Sequence, residues 1–399
     1  VLVQERPGSG LVAILLLYRA GALVEPPGKT GLAHLTEHMM FRGTPSYPAG
    51  RIDDLTSRMG GVNNAMTTGD HALYYFVLPS EHWRTAVAIE ADRMTNCRLE
   101  QHQFETERRI VLEERGMLDD DPDAALDEAV NALAFTRHPY GLPVAGLRSD
   151  IERLSLDDLK AFYDSYYAPG NAILAVVGDV RAGDVASFVS RSFGAIEAAP
   201  VHAPAPRPEP PQVAARHTEV VGDDRAARAV VAFRTPEATH SDSPALEVLA
   251  HVLAGGRSSR LHRNLVRGRR VAAESSADRV LTAEPGLFTV SALLRIGADL
   301  QDSHRAMLAV LEELRASGAG GEEIEKAKSL LRLEYLASVE TSLGLAGSLA
   351  FWESLGGWAL GPEFESRVSE VTAPEIARVL DVYFRTEAMN SAWRLARPS

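Results

Sequence analysis

Cysteine is nearly missing from this chain: 399 residues contain only Cys97. No internal disulfide can form, so the fold must be held by its core, and cysteine usage leaves the redox compartment open. Cys97 lies in "ADRMTNCRLE" and reads as a small buried hydrophobe. Long apolar runs are missing too. The longest, "LVAILLLY" from Leu11 to Tyr18, suits a buried strand and falls far short of the ~20 residues that span a bilayer. Nor is there surplus positive charge. Lys and Arg number 41 against 54 Asp and Glu, a net charge of −13, which argues against nucleic acid, since phosphate recognition needs clustered cations. Cationic peptides remain compatible partners. No signal peptide is visible.

What is present fits a soluble globular protein: 45% hydrophobic and 24% charged residues. The length implies two domains of roughly 200 residues each. A proline-rich stretch, "AAPVHAPAPRPEPPQVAARH" (198–217), cannot build a core and reads as an extended connector. The expected division is therefore 1–197, a linker at 198–217, and 218–399. The halves look duplicated: "FETERRIVLEER" from Phe104 and "IEKAKSLLRLEY" from Ile324 place their glutamates alike. "ALYYFVLP" and "NAILAVVGDV" read as strands, "HWRTAVAIEADRMTN" and "LDDLKAFYDSYY" as amphipathic helices. Strands and helices do not alternate strictly, so the fold class is α+β, two homologous sheet-plus-helix domains.

The segment "GLAHLTEHMMFRGT" (31–44) carries the chemistry. With Thr30 as N-cap and Gly43 as stop, residues 31–42 make about three turns of helix. His34 and His38, at i and i+4, share a face and can reach one ion. Glu37 is offset by roughly 100° from His38, one turn from His34, where it can act as a base beside the metal without binding it. This order is the HxxEH pattern of the inverzincins. The alternative is two histidines with no shared ligand, and zinc needs a third protein ligand in any case. The helix after Gln103 offers one. Phe104, Glu107, Val111, Glu114 and Leu118 form one stripe, whose two carboxylates want a cation if buried. Salt bridges to Arg108, Arg109 or Arg115 would satisfy them as well. The opening segment's counterpart in the second half, "ALEVLAHVLAGGRSSRL" from Ala245, sets Ala250 opposite His34 and Ala254 opposite His38.

With Glu114 lying 76 positions after His38, these motifs resemble the pitrilysin family of zinc peptidases, which includes insulysin and the mitochondrial processing peptidase. The resemblance extends through "GGVNNAMTTGDHALYYFVLP", "FYDSYYAPGNAILAVVGDV", the linker, "LAGGRSSRLHRNLV" and "SLGLAGSLAFWESLGGW", nearly the whole chain. It implies two α+β halves in a clamshell around an extended peptide. It implies zinc (Zn2+) held by His34, His38 and Glu114, Glu37 as general base, Glu107 in support, and a substrate-pairing edge strand containing Asn64 and Ala65. From the residues alone, Asn64 could equally be a turn residue before that strand.

The match breaks in the second half. Active single-chain or homodimeric relatives carry an Arg and a Tyr seven apart, and these positions fall on Val266 and Ala273. The resemblance therefore implies the zinc-bearing subunit of a bacterial heterodimer, completed by a homologous subunit that carries the Arg/Tyr pair and weak or inactive alone. A non-catalytic scaffold or a zinc-dependent peptide-binding subunit is the alternative. The basic run Arg257, Arg260, Arg263, Arg267, Arg269 and Arg270 and the acidic stretch "MLDDDPDAALDE" (117–128) read first as solvated surface. Composition, family and a start at Val1 rather than Met favour a bacterial, periplasmic chain over a cytoplasmic one.

Overall fold

The computed structural model describes residues 1–197 and 207–396. The first sheet is built from β1 (Leu2–Glu5), β2 (Leu11–Tyr18), β3 (Val62–Thr67), β4 (Ala72–Pro79) and β5 (Ala172–Gly178). Its order is β1-β5-β2-β4-β3, with β1 parallel to β5 and the other pairs antiparallel. Strand β2 is apolar throughout because both its faces are covered. Val12, Ile14, Leu16 and Tyr18 enter one core and Ala13, Leu15 and Leu17 another.

The second sheet comprises β6 (Arg216–Gly222), β7 (Arg228–Thr235), β8 (Ala272–Arg279), β9 (Gly286–Leu294) and β10 (Asn390–Ala396), in the order β6-β10-β7-β9-β8. Strand for strand this repeats the first sheet, including the single parallel pair at the same edge. The two halves thus share one topology, mixed and not doubly wound.

Compactness does not follow the sequence halves. One unit contains Val1–Gly116, Leu142–Pro206 and Ala337–Gly361; the other contains Met117–Gly141, Arg207–Leu336 and Pro362–Ser399. Both units draw segments from either side of the expected division at 198–217. The physical reason is that each sheet needs its second face covered. In the first unit, the Ser342–Ser354 helix sets Ala346 and Ala350 against Ala13, Leu15, Leu17, Ile173, Ala175 and Val177. In the second, the Pro122–Ala134 helix sets Leu126 and Val130 against Val230, Ala232 and Ala392. Both covering helices follow a 20-residue helix, Gln101–Asp120 in one half and Gly321–Glu340 in the other.

Residues 198–206 of the expected linker lie outside the described residues. The remainder is anchored within the second unit. Glu209 accepts hydrogen bonds from Thr136 Oγ1 and the Arg137 amide, both at 2.7 Å, and from the His138 amide at 3.1 Å. These bonds outweigh burial and bring its carboxyl down to about 2. Arg216 already belongs to β6. The acidic stretch turns into the Pro122–Ala134 helix through Asp121, whose side chain accepts the Asp123 and Ala124 amides.

Ala350 is fully buried on the first sheet. Ala350→Leu is expected to overpack this interface and destabilise the protein by about 1–3 kcal/mol in chemical denaturation. An unchanged midpoint would contradict the assignment of that helix to the first sheet.

Candidate metal centre

The HxxEH segment forms a helix over Leu32–Met40, shorter than the expected 31–42. Leu32, Leu35 and Met39 point into the core beside β2 and β4, which leaves His34, Glu37 and His38 half-buried on the opposite side. Thr30 is not the N-cap. Its hydroxyl donates to Asp150 Oδ2 at 2.8 Å, and Gly31 occupies the cap position with φ 85°. A Cβ there would stand 2.8 Å from the Ala145 carbonyl oxygen, so glycine is required twice over. The free amides are taken instead by Glu25, whose carboxylate accepts Gly31 N–H at 3.1 Å and Ala33 N–H at 2.8 Å.

The Gln101–Asp120 helix brings Glu107 and Glu114 to this side. Glu114 Oε2 lies 3.4 Å from His38 Nε2 and 3.7 Å from His34 Nε2. One ligand atom from each of the three residues can be chosen so that all lie within 4.8 Å of one another, the only such group among the described residues. Tetrahedral zinc with bonds of about 2.0–2.1 Å separates its ligand atoms by roughly 3.3 Å, so the donor set and spacing fit that ion. The carboxylate is not diverted to the neighbouring arginines. Arg108 pairs with Glu105 at 2.5 Å, and Arg109 Nε donates to the Glu105 carbonyl.

Glu107 is almost fully buried, 1% exposed, and paired with two cationic or ring nitrogens. Its Oε2 accepts His38 Nδ1–H at 3.2 Å, and its Oε1 lies 2.7 Å from Arg42 Nε. That bond fixes the His38 tautomer and leaves Nε2 free toward Glu114. His34 has no equivalent support: its Nδ1 is buried with no partner among the described residues. Burial and the adjacent His38 ring push His34 down to about 4, which keeps it neutral. Burial opposes protonation of His38 as well, but the bond to Glu107 and the charges of Glu114, Glu107 and Glu37 outweigh it and raise its pKa. Burial likewise raises Glu37, against the hydrogen bond from Thr67 Oγ1 at 2.5 Å.

Asn64 and Ala65 lie within β3, the terminal strand of its sheet, and not in a turn. The Ala65 amide donates to Asn64 Oδ1 at 2.9 Å. In the second unit, Val266 lies in a π-helical turn, His262–Gly268, and Ala273 is the extra residue at a register shift in β8. Arg260 and Arg263 of the basic run both pair with Glu323. Cys97 is half-buried, and burial pushes its thiol up to about 12, so it is inert. Sequence reasoning missed Glu25, Arg42 and Thr67. None carries a local signal, because each acts across a distance in the chain.

A two-unit α+β fold with a His-His-Glu cluster and a carboxylate beside it defines a metal-dependent hydrolase. Residues 1–147 match the family model described as insulinase, peptidase family M16, and residues 153–331 match the peptidase M16 inactive domain. The zinc protease PqqE of Helicobacter pylori is 28% identical over 94% of this chain and 86% of its own length. A Mycobacterium tuberculosis protein named as an uncharacterized zinc protease is 31% identical over 78% and 72%. The crystal structure of a protease from Helicobacter pylori superposes with a TM-score of 0.94 at 27% identity, covering 99% of this chain and 97% of that one. The periplasmic protease PqqL from Escherichia coli shares the fold, with a TM-score of 0.81 at 18% identity over 99% of this chain and 46% of its own. The chain belongs to the insulinase family of zinc metallopeptidases.

In the metal-free protein, ring-nitrogen NMR is expected to show His38 titrating above the usual imidazole value and His34 well below it, near 4. As pH falls from neutrality, His38 therefore gains its proton first. The opposite order would refute the hydrogen-bond assignment at Glu107.

Proposed function

We propose that His34, His38 and Glu114 hold the zinc ion and that Glu37 is the general base in hydrolysis of short or unfolded peptides. The observation that carries the reading is the convergence of the three ligand atoms, two imidazole nitrogens and one carboxylate oxygen, with a second carboxylate, Glu37, one residue from His38. Neutral imidazoles and one carboxylate would leave the ion with about one positive charge. The chemistry zinc supplies in such a setting is acidification of a water and polarisation of the scissile carbonyl. The residues do the rest. Glu37 takes the proton from the attacking water and returns it to the leaving amine, and its burial-raised pKa makes it a stronger base than an exposed carboxylate. Glu107 orients His38. The free edge of β3 at Asn64 and Ala65 receives the substrate backbone as an added strand, which selects extended peptides.

Val266 and Ala273 stand where active relatives are expected to carry Arg and Tyr, so a homologous partner subunit is part of this reading. The setting is bacterial, as are the named relatives, and periplasmic, in keeping with the description of the Escherichia coli protein that shares the fold. Among the described residues no helix is long and apolar enough to cross a membrane.

Two experiments test these claims separately. Glu37→Gln should keep stoichiometric zinc by metal analysis while lowering peptide turnover by about 10²–10⁴-fold, the span of general acid–base catalysis. Retained turnover would remove Glu37 as base, whereas lost zinc would mean that it also holds the metal. The isolated, zinc-replete chain should cleave peptides slowly and gain at least about tenfold on addition of a homologous subunit bearing the Arg/Tyr pair, because substrate positioning contributes orders of magnitude. Full activity alone would overturn the need for a partner, and a chain inactive in both conditions would favour the scaffold or peptide-binding alternative.

A further inference from the structure

The two imidazoles of the cluster are supported unequally, and this asymmetry points to a role for Glu25. His38 is braced from behind by Glu107, itself paired with Arg42. His34 has no hydrogen bond at Nδ1 among the described residues, so its position depends chiefly on the backbone that carries it. That backbone is the first turn of a nine-residue helix, and a helix so short is marginal without help at its ends. The cap residue, Gly31, has no side chain to supply the help. Glu25 supplies it from six residues upstream, accepting the Gly31 and Ala33 amides from a side chain only 4% exposed.

We propose that Glu25 is a positioning residue for the metal cluster, holding the first turn of the Leu32–Met40 helix so that the His34 ring stays in register with His38 and Glu114. It touches neither substrate nor the cluster and acts only through the helix backbone. The residue that makes a useful control is Asp150. It is 5% exposed and serves the same loop, accepting from Thr30 N and Oγ1 and from Arg153, but among the described residues no amide of the ligand helix donates to it. Losing either carboxylate should lower stability; only loss of Glu25 should disturb the metal site.

The inference rests on the zinc assignment, and cobalt(II) substitution separates the two. Wild-type protein should bind one cobalt ion with the intense visible bands of a tetrahedral site; absence of binding would remove the zinc assignment itself. In Glu25→Gln one of the two accepting oxygens becomes an amide NH2, which cannot accept, so the Gly31 and Ala33 bonds cannot both be kept in their present geometry. Its affinity for zinc, measured against a competing chelator, should fall by about tenfold, the lower end of what outer supports contribute to metal affinity, and its cobalt bands should shift. Asp150→Asn should lower the melting temperature comparably with affinity and bands unchanged. Wild-type affinity in Glu25→Gln, or an equal loss in Asp150→Asn, would overturn the role of Glu25. Should Glu25→Gln fail to fold, Glu25→Asp provides the reading by hydrogen exchange. The amides of residues 31–33 should exchange faster than in the wild type, and unchanged protection there would equally overturn it.

Discussion

Two imidazoles one helical turn apart can share an ion, but they cannot enclose it; a third donor must arrive from another part of the chain and be held there. In this protein the proposed donor, Glu114, is carried by a 20-residue helix that begins more than sixty residues after the histidines. The helix is anchored by its own stripe: Phe104 and Val111 are fully buried, and Glu107 between them is bound to His38 and Arg42. Glu107 therefore does two things with one carboxylate. It ties the two helices together, and it dictates which nitrogen of His38 faces Glu114. An unpaired carboxylate buried to that degree would be costly, and the Arg42 guanidinium offsets its charge.

The second half shows how the same topology looks when the cluster is not kept. Glu334 occupies the position of Glu114 in the repeated helix, but Ala250 and Ala254 stand where the histidines would be. A single imidazole, His251, reaches Glu334 at 3.1 Å, and the half-buried Glu247 close by is paired with Arg279 Nη1 at 3.2 Å. A guanidinium fixed in the fold supplies the positive charge that an ion would supply in the first half. The pairing is structural and carries no exchangeable ligand position. Duplicated architecture thus serves one chemical centre, in agreement with the description of the matched second domain as inactive.

Much of this was readable from periodicity. Strands β2, β4 and β5 and the helices Trp83–Asn96 and Leu156–Tyr166 fall where their apolar patterns put them, because each packs a regular face on a core. Helix spacing placed His34, Glu37 and His38 together, and a stripe of apolar residues interrupted by acids brought out Glu107 and Glu114. What could not be read is anything settled by long-range pairing. The exchange of covering helices between the units depends on which sheet face is left bare, not on local pattern. The cap of the HxxEH helix is a glutamate six residues away, so Thr30, the local candidate, was free to bind Asp150.

Strand β3 joins the two remaining parts of the site. Its last residue, Thr67, donates a 2.5 Å hydrogen bond to Glu37, while Asn64 and Ala65, three and two positions earlier, lie on the terminal strand of the sheet. In a strand, alternate residues face opposite sides, so Asn63, Ala65 and Thr67 share the side toward the helix and Val62, Asn64 and Met66 share the outer side, the last group all exposed. The element proposed to align the substrate is therefore the one that orients the proposed base. A shift of β3 along β4 by one residue would reverse the two faces, withdraw Thr67 from Glu37 and turn Ala65 outward together. Register between β3 and β4, fixed by the pairing of Ala65 with Tyr74 and of Thr67 with Ala72, is thus a condition on the proposed catalysis as well as on folding. Tyr74 holds that register from the core side, fully buried with its hydroxyl 3.1 Å from that of Tyr167.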